Sequence, residues 1–278
     1  MERTRPYRYY DTCMSVCPVC YRKVEGKILF DDDGVWMHKR CPTHGNFRVL
    51  VADDVDYYRM AREVFVKAPA MPARYNTKVD YGCPYDCGVC GDHEQHGCLC
   101  IIEVTDHCNL TCPICYASSG THRQSSRDLA TIERMLDAVV ANEVEPDVVQ
   151  ISGGEPTIHP DFFAILDAAF ARPIKHVMVN TNGIRLANDR AFAERLASYR
   201  PGFEIYLQFD SFEREALMEL RGADLRGVHE RAVAVCNELD ISCTLVCTVK
   251  KGLNDGELGR IIEWGLEQPS VRGVTLQP

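Results

Sequence analysis

The spacing of apolar residues changes character near residue 101. From there onward, short apolar runs alternate with longer segments whose apolar residues recur every three or four positions. Residues 101–105, 147–152, 175–180, 203–209, 242–249 and 271–276 read as strands. Between them, Leu129, Ile132, Leu136, Val139 and Val140 share one helix face, as do Phe163, Leu166 and Phe170. Phe192, Leu196 and Tyr199 mark a further helix, and so do Val228, Ala232, Val235 and Leu239. Leu258, Ile261, Ile262 and Leu266 mark the last. This alternation predicts βαβ units, a parallel sheet and right-handed crossovers. Six strands do not support a closed eight-stranded barrel. An open doubly wound sheet or a partial, six-stranded parallel β/α barrel fits this α/β pattern. Both put the reactive site at the C-terminal ends of the strands. The sequence stops directly after the sixth strand with no covering helix, which predicts a fragment of a longer protein.

Residues 1–67 are shorter-patterned and turn-rich. Asp31-Asp32-Asp33-Gly34 separates candidate strands at 27–30 and 35–38. Residues 68–73, with two prolines, read as a linker. The expected organisation is a small metal-binding domain over 1–67, a linker and cysteine-rich segment over 68–100, and a core over 101–278.

The cysteines change the picture. There are 15, and 12 fall in the first 115 residues. The N-terminus lacks the apolar stretch of an export signal. Clustered thiols in an unexported chain suit metal ligation better than disulfides. A formal charge of −9 argues against a general nucleic-acid binder. No apolar run reaches the roughly 20 residues needed to span a bilayer. A cytoplasmic location is expected, with a peripheral membrane contact left open.

Three groups share the spacing C-x3-C-x2-C: Cys13/Cys17/Cys20, Cys83/Cys87/Cys90 and Cys108/Cys112/Cys115. Only the third directly follows the first strand of the alternating region, where chemistry is expected. Three thiolates can hold three irons of a four-iron cluster and leave the fourth open. A zinc knuckle or buried free thiols are the plainer alternatives. One strand later comes Ser152-Gly153-Gly154-Glu155-Pro156. Paired glycines let the backbone pass close to a ligand, and a carboxylate at a strand end can accept from an ammonium group. By itself this run is an ordinary turn. Together, the two elements resemble the radical S-adenosylmethionine (SAM) superfamily over residues 101–278, with Ile114 in the apolar position before the last cysteine.

That resemblance implies a [4Fe–4S] cluster on Cys108, Cys112 and Cys115. It also implies SAM bound at Gly153, Gly154 and Glu155, and a 5′-deoxyadenosyl radical that abstracts hydrogen. An electron donor such as ferredoxin or flavodoxin is implied as partner. By the same analogy Asn180, Asn182, Gln208, Asp210, Thr248 and Asn254 at later strand ends are candidate SAM or substrate contacts. Many related enzymes carry serine where Gln208 stands.

In the second group, Cys98 completes four thiolates with Cys83, Cys87 and Cys90, which suits a closed auxiliary [4Fe–4S] cluster. Cys100 is an alternative fourth ligand and zinc an alternative occupant. In the first region, Cys17-Pro18-Val19-Cys20 and Cys41-Pro42-Thr43-His44 flank the hairpin like the knuckles of a rubredoxin or zinc ribbon. Cys17, Cys20 and Cys41 are expected ligands of a mononuclear zinc or iron, with His44 or Cys13 as the fourth. Cys236, Cys243 and Cys247 read as small buried hydrophobes.

The run 81–96, followed by Ile102-Glu103-Val104-Thr105 and the Cys108 loop, resembles one subgroup, the archaeal tetraether lipid synthases and their bacterial relatives. Some of its members are described as methyltransferases acting on a dihydropterin. The first expectation is therefore coupling of lipid alkyl chains, the alternative radical methyl transfer to a pterin precursor. An iron–sulfur electron carrier or a zinc-stapled interaction module is the reading from another class.

Overall fold

The computed structural model describes residues 5–64, 71–86, 88–91, 93 and 96–278. The chain forms two compact units, residues 1–96 and 97–278. Residues 68–70 of the expected linker, and Cys87, lie outside the described residues.

The first unit is an antiparallel sheet of β1 (Arg8–Val16), β2 (Lys23–Asp31), β3 (Gly34–Cys41) and β4 (Gly45–Ala52), in sequential order, followed by helix α1 (Val55–Glu63). The expected hairpin turn is present, with Asp31 paired to Gly34. Asp31 also accepts from Trp36 Nε1 at 2.9 Å, which pins the turn against β3. The outer strands β1 and β4 and helix α1 are additions to the sequence reading. Asp54 caps α1 by accepting from Tyr57 N.

The second unit holds β5 (Leu99–Thr105), β6 (Val148–Gly153), β7 (His176–Thr181), β8 (Phe203–Gln208), β9 (Ser242–Thr248) and β10 (Val271–Gln277). All five pairings are parallel, in the order β10-β9-β8-β7-β6-β5. Helices α2 (Leu129–Glu143), α3 (Phe162–Phe170), α4 (Ile184–Asn188), α5 (Arg190–Ala197), α6 (Arg214–Arg221), α7 (Arg226–Leu239) and α8 (Leu258–Leu266) fill the connections.

The strand order decides between the two sequence-level alternatives. A doubly wound sheet reverses direction at a switch point and carries helices on both faces. Here the order never reverses, so right-handed crossovers place every helix on one face. This is the partial-barrel arrangement. Side-chain alternation records it directly. On β8, Phe203, Ile205 and Leu207 are buried towards the helices, while Glu204, Tyr206 and Gln208 are only half-buried on the inner face. On β7, Val177 and Val179 are buried, and His176, Met178 and Asn180 face inward. The core beneath the helices includes Leu136, Ile151, Ile165, Leu196, Leu207 and Leu245. Cys236, Cys243 and Cys247 are fully buried, as the sequence suggested.

One core residue is polar without a partner. His229 on α7 is 1% exposed, packs 5.4 Å from the Phe209 ring, and neither ring nitrogen has a hydrogen-bond partner. Burial holds its pKa down at about 4, against the opposing pull of Asp210. Between about pH 6.5 and pH 4 the unfolded chain therefore takes up a proton that the folded chain refuses. Stability is expected to fall as pH drops through that window, by about 2 kcal/mol at pH 5. Urea unfolding at pH 7.5 and pH 5 should show this loss, and His229→Phe should remove most of it. An equal loss in the variant would assign the effect elsewhere.

Candidate active site and metal centre

In the first unit, the ligand atoms of Cys17, Cys20, Cys41 and His44 all lie within 4.8 Å of one another. His44 Nδ1 is 3.6 Å from Cys17 Sγ and 3.5 Å from Cys41 Sγ, and the Cys20 and Cys41 sulfurs are 3.9 Å apart. A tetrahedron with Zn–S bonds of about 2.3 Å has edges of about 3.8 Å, so the set fits a mononuclear ion. Burial raises the Cys17 thiol, but donation from Cys20 N and Val19 N, helped by the Cys20 and Cys41 thiols, outweighs it and leaves the pKa at about 7. Such a sulfur is readily a thiolate ligand. Cys13, the alternative fourth residue, stands outside this group on β1 opposite Gly26.

Of the second group, Cys83 is exposed and Cys90 buried in the first unit. Asp86 Oδ2 accepts from the backbone N–H of Asp80, Tyr81 and Gly82, which shapes the loop before Cys83. Cys98 is exposed and Cys100 half-buried in the second unit. Burial raises the Cys100 thiol, with Glu143 and Cys98 adding to the shift.

The inner face of the second unit opens into a cavity of about 440 Å³ at the C-terminal strand ends. Cys108, Cys112 and Cys115 line it together with Gly153, Gly154 and Glu155. The cysteine loop follows β5, and the glycine pair sits at the end of β6, Gly153 being its last residue. Their junction is close. Gly154 N donates to Thr105 O at 2.7 Å and Glu155 N to His107 O at 2.9 Å. A Cβ on Gly153 would stand 2.3 Å from Thr105 O, and one on Gly154 would stand 2.2 Å from His107 O. Gly153 also has φ +128°, so both positions need glycine. The cysteine loop is further tied by Asn182 Nδ2, which donates to Asn109 Oδ1 at 2.7 Å.

The three thiols suit a soft-metal centre, being soft donors converging on one half-buried pocket. Burial pushes Cys108 up to about 11, opposed by the Leu110 N–H. Burial also raises Cys112, against the attraction of the Arg221 guanidinium. Loading a metal centre must therefore displace thiol protons. Arg221, from the end of α6, went unmarked in the sequence. It lines the cavity, donates Nε and Nη2 to the two carboxylate oxygens of Asp210 at 2.7 Å each, and is 13% exposed against 0% for Asp210.

Two expectations change in detail. Glu155 is 1% exposed and does not extend its carboxylate as a free acceptor. Its oxygens accept from Thr157 N, Thr157 Oγ1, Thr181 Oγ1 and Asn182 N at 2.6–3.1 Å. Burial raises its pKa, and these four donors pull the other way. Asp210 lies behind Arg221, also bonded to Thr248 N at 2.9 Å. Asn254 is fully buried and donates to Asp210 O at 2.8 Å and to Thr248 O at 2.9 Å. Asn180, Asn182, Gln208 and Thr248 do line the cavity.

Removal of the Glu155 carboxylate leaves four buried donors unpaired. Glu155→Ala is thus expected to lower stability by about 3 kcal/mol, measured by urea unfolding. A variant as stable as the parent would show the carboxylate to be dispensable to the fold.

Comparison with known proteins matches residues 102–265 to the radical SAM superfamily. The chain belongs to the radical SAM superfamily. Residues 9–53 match the HMPTM N-terminal zinc ribbon domain. The chain is 34% identical over 271 residues to 7,8-dihydro-6-hydroxymethylpterin dimethyltransferase of Methanocaldococcus jannaschii, covering 95% of this chain and 52% of that one. It is 31% identical over 179 residues to the GTP 3′,8-cyclase of Shewanella denitrificans, covering 60% and 49%. This radical SAM chain thus spans about half the length of the curated relatives it matches. Its fold resembles Streptococcus suis SuiB bound to S-adenosylmethionine, with a TM-score of 0.53 and 20% identity over 66% of this chain and 41% of that one. Membership implies a [4Fe–4S] cluster and SAM, and the cavity offers the thiol set and the glycine approach such groups need. No described helix is long and apolar enough to cross a membrane.

Proposed function

We propose that this radical SAM protein acts on a polar, planar heterocycle of the pterin type, in a radical methyl transfer. The observation that carries this reading is the chemistry of the inner wall. Gln150, Ser152, Asn180, Tyr206, Gln208 and Thr248 line the cavity from β6 to β9. An alkyl chain laid along that wall would strip water from these groups and satisfy none of them. The bulky apolar residues Leu207 and Phe209, on and just after β8, are buried in the helix-side core instead. Apolar side chains, among them Ile101, Leu110, Ile114, Ala117 and Leu225, line the rest of the cavity. The similarity to a dihydropterin dimethyltransferase supports the same choice. Coupling of lipid chains, the first expectation from sequence, loses ground to the methyl-transfer alternative on both counts.

In this reading, Cys108, Cys112 and Cys115 hold the cluster, and the Gly153-Gly154 backbone and Arg221 border SAM. When bound, cluster and SAM together supply hydrogen-atom abstraction by a carbon radical. Arg221 supplies a fixed cation beside Cys112, where a carboxylate is attracted. Its pairing with Asp210 holds the guanidinium plane and reduces its net field. Glu155 holds the turns after β6 and β7 in one arrangement, so the rim is set before ligands arrive. The zinc-ribbon set Cys17, Cys20, Cys41 and His44 binds a structural ion. An auxiliary cluster on the second cysteine group, and an external ferredoxin or flavodoxin, complete the proposal.

Anaerobic reconstitution, then reductant, SAM and 7,8-dihydro-6-hydroxymethylpterin, tests it. The expected products are 5′-deoxyadenosine and methionine from one SAM, S-adenosylhomocysteine from a second SAM that gives up its methyl, and a pterin heavier by one or more methyl groups, with two electrons from the reductant per methyl. Deoxyadenosine with an unaltered pterin would sink the substrate reading. Intact SAM on well-loaded protein would count against the chemistry as a whole.

A further inference from the structure

All six lysines and arginines of residues 9–53 line one groove on the first unit: Arg22, Lys23, Lys27, Lys39, Arg40 and Arg48. The same stretch holds six acids, Asp11, Glu25, Asp31, Asp32, Asp33 and Asp53, and of these Glu25 alone lines the groove. The ribbon is thus neutral in sum and divided in space, within a chain of formal charge −9.

Strand register explains the division. Along β2, Lys23, Glu25 and Lys27 are exposed and alternate with buried Val24, Gly26 and Ile28. Lys27 is paired with His38 on β3, and His38 with Arg48 on β4, so the three share one face. Arg40 stands two residues beyond His38 on that face. Helix α1 covers the opposite face, where Tyr58 packs 6.0 Å from the Phe30 ring. The basic face stays open, with Arg22, Lys23, Lys27, Arg40 and Arg48 all exposed. Two of the six cations also serve the fold. Lys39 Nζ donates to Ser15 Oγ and Val16 O, and Arg48 lies 3.7 Å over the Trp36 ring while pairing with Asp31.

The layout of the charge decides what fits it. The groove has a volume of about 680 Å³, and its cations are dispersed along its walls. Lys23 and Lys27 stand about 13 Å apart along β2, and Lys27 and Arg48 about 10 Å apart across the sheet. A lone phosphate cannot bridge such gaps, and a flat bilayer cannot enter a concave face. A protein surface with scattered carboxylates meets several of these cations at once. Exposed Met14 and Leu50, opposite Glu25 and Trp36 on the same face, offer it apolar contact. The first unit also carries redox-capable thiols. Tyr85, two residues after Cys83, donates Oη to Cys20 O at 2.9 Å, which ties that cysteine loop to the ribbon knuckle from which Arg22 and Lys23 follow.

We infer that this face docks an acidic one-electron carrier of the flavodoxin or ferredoxin class. The inference rests on the external-donor reading above and adds to it where the donor binds. In the transfer, an anionic flavodoxin hydroquinone loses one electron and becomes the neutral semiquinone, while a [4Fe–4S] cluster of the protein goes from the 2+ to the 1+ state, with no proton released. An acidic partner is repelled on average by a chain of net charge −9, so a basic face both steers and orients it.

Lys27→Glu combined with Arg40→Glu tests the docking, with Lys27→Gln combined with Arg40→Gln as a milder pair should the first not fold. SAM cleavage by full chain loaded with cluster and ribbon ion is driven either by dithionite or by an acidic flavodoxin hydroquinone. The reversed pair is expected to raise the KM for flavodoxin about tenfold or more at low ionic strength, and to leave dithionite-driven cleavage unchanged. That difference should shrink in about 1 M salt, where charges are screened beyond about 3 Å. Parental KM in both variants would overturn the inference and leave the external-donor reading standing. An equal fall in dithionite-driven cleavage would overturn it by placing the effect on the fold. Parental KM together with lost binding of a DNA duplex or of phosphatidylglycerol vesicles would give the face to those partners instead. A parent that accepts electrons from dithionite and none from flavodoxin or ferredoxin would overturn the donor reading and this inference with it.

Discussion

Gly154→Ala is expected to reduce SAM cleavage by about 100-fold or more in cluster-loaded protein, with a smaller loss of stability. The added methyl would meet His107 O at 2.2 Å, the His107 carbonyl carbon at 2.7 Å and Asp106 O at 3.0 Å. All three are backbone atoms of the strand-to-cysteine-loop junction, so no side chain can swing aside. Relief requires the loop and the glycine turn to separate by about 1 Å, and displacements of that size at a reacting centre cost about two orders of magnitude. Separation also stretches Gly154 N to Thr105 O and Glu155 N to His107 O. Deoxyadenosine production and iron content are the measurements. A variant with parental iron and parental cleavage would show that the close approach is incidental.

Withdrawal of the ribbon ion should be the largest single perturbation to the first unit. Around the site, the buried cluster is Cys17, Val24 and Cys41, with Cys20 and Phe47 packed against it, so three of these five residues are themselves proposed ligands. Apolar burial of that extent contributes only a few kcal/mol, whereas structural zinc in small domains contributes about 10–16 kcal/mol. A strong chelator, or Cys17→Ser, is expected to open residues 9–53 to protease and abolish their strand signal. Metal analysis and limited proteolysis check this. A metal-free ribbon that resists protease would assign its stability to the hairpins alone.

The core was readable because most of its strands turn apolar residues towards the helices, as Phe203, Ile205 and Leu207 do on β8, and segments of helical period separate them. The ribbon's outer strands were not. β1 is Arg-Tyr-Tyr-Asp-Thr-Cys-Met-Ser-Val with no buried residue, and β4 leaves Val49, Leu50 and Val51 exposed. Pairing and the clustered ligand set hold them, and neither leaves a periodic pattern. The thiol spacing announced both metal candidates, and the structure gathers one set tightly and brings the other to a single cavity. Arg221 escaped notice because a basic residue in the last turn of a helix is ordinarily a solvated partner of the helix dipole. Its role depends on register across β8 and β9, which spacing does not encode. Glu155 looked like an exposed strand-end carboxylate. Its four donors come from Thr157, Thr181 and Asn182, the last two more than 25 positions away, so only folding reveals them.

That shared acceptor has a bearing on how the rim moves. The turn after β6 carries Glu155 itself, and the turn after β7 cannot detach from it without stranding Thr181 Oγ1 and Asn182 N. Their openings are therefore coupled into one cooperative fluctuation. In hydrogen–deuterium exchange, the amides of Thr157 and Asn182 should trade protons at a common slow rate close to that of the central strands, so the mouth of the cavity behaves as rigid scaffold despite being made of loops.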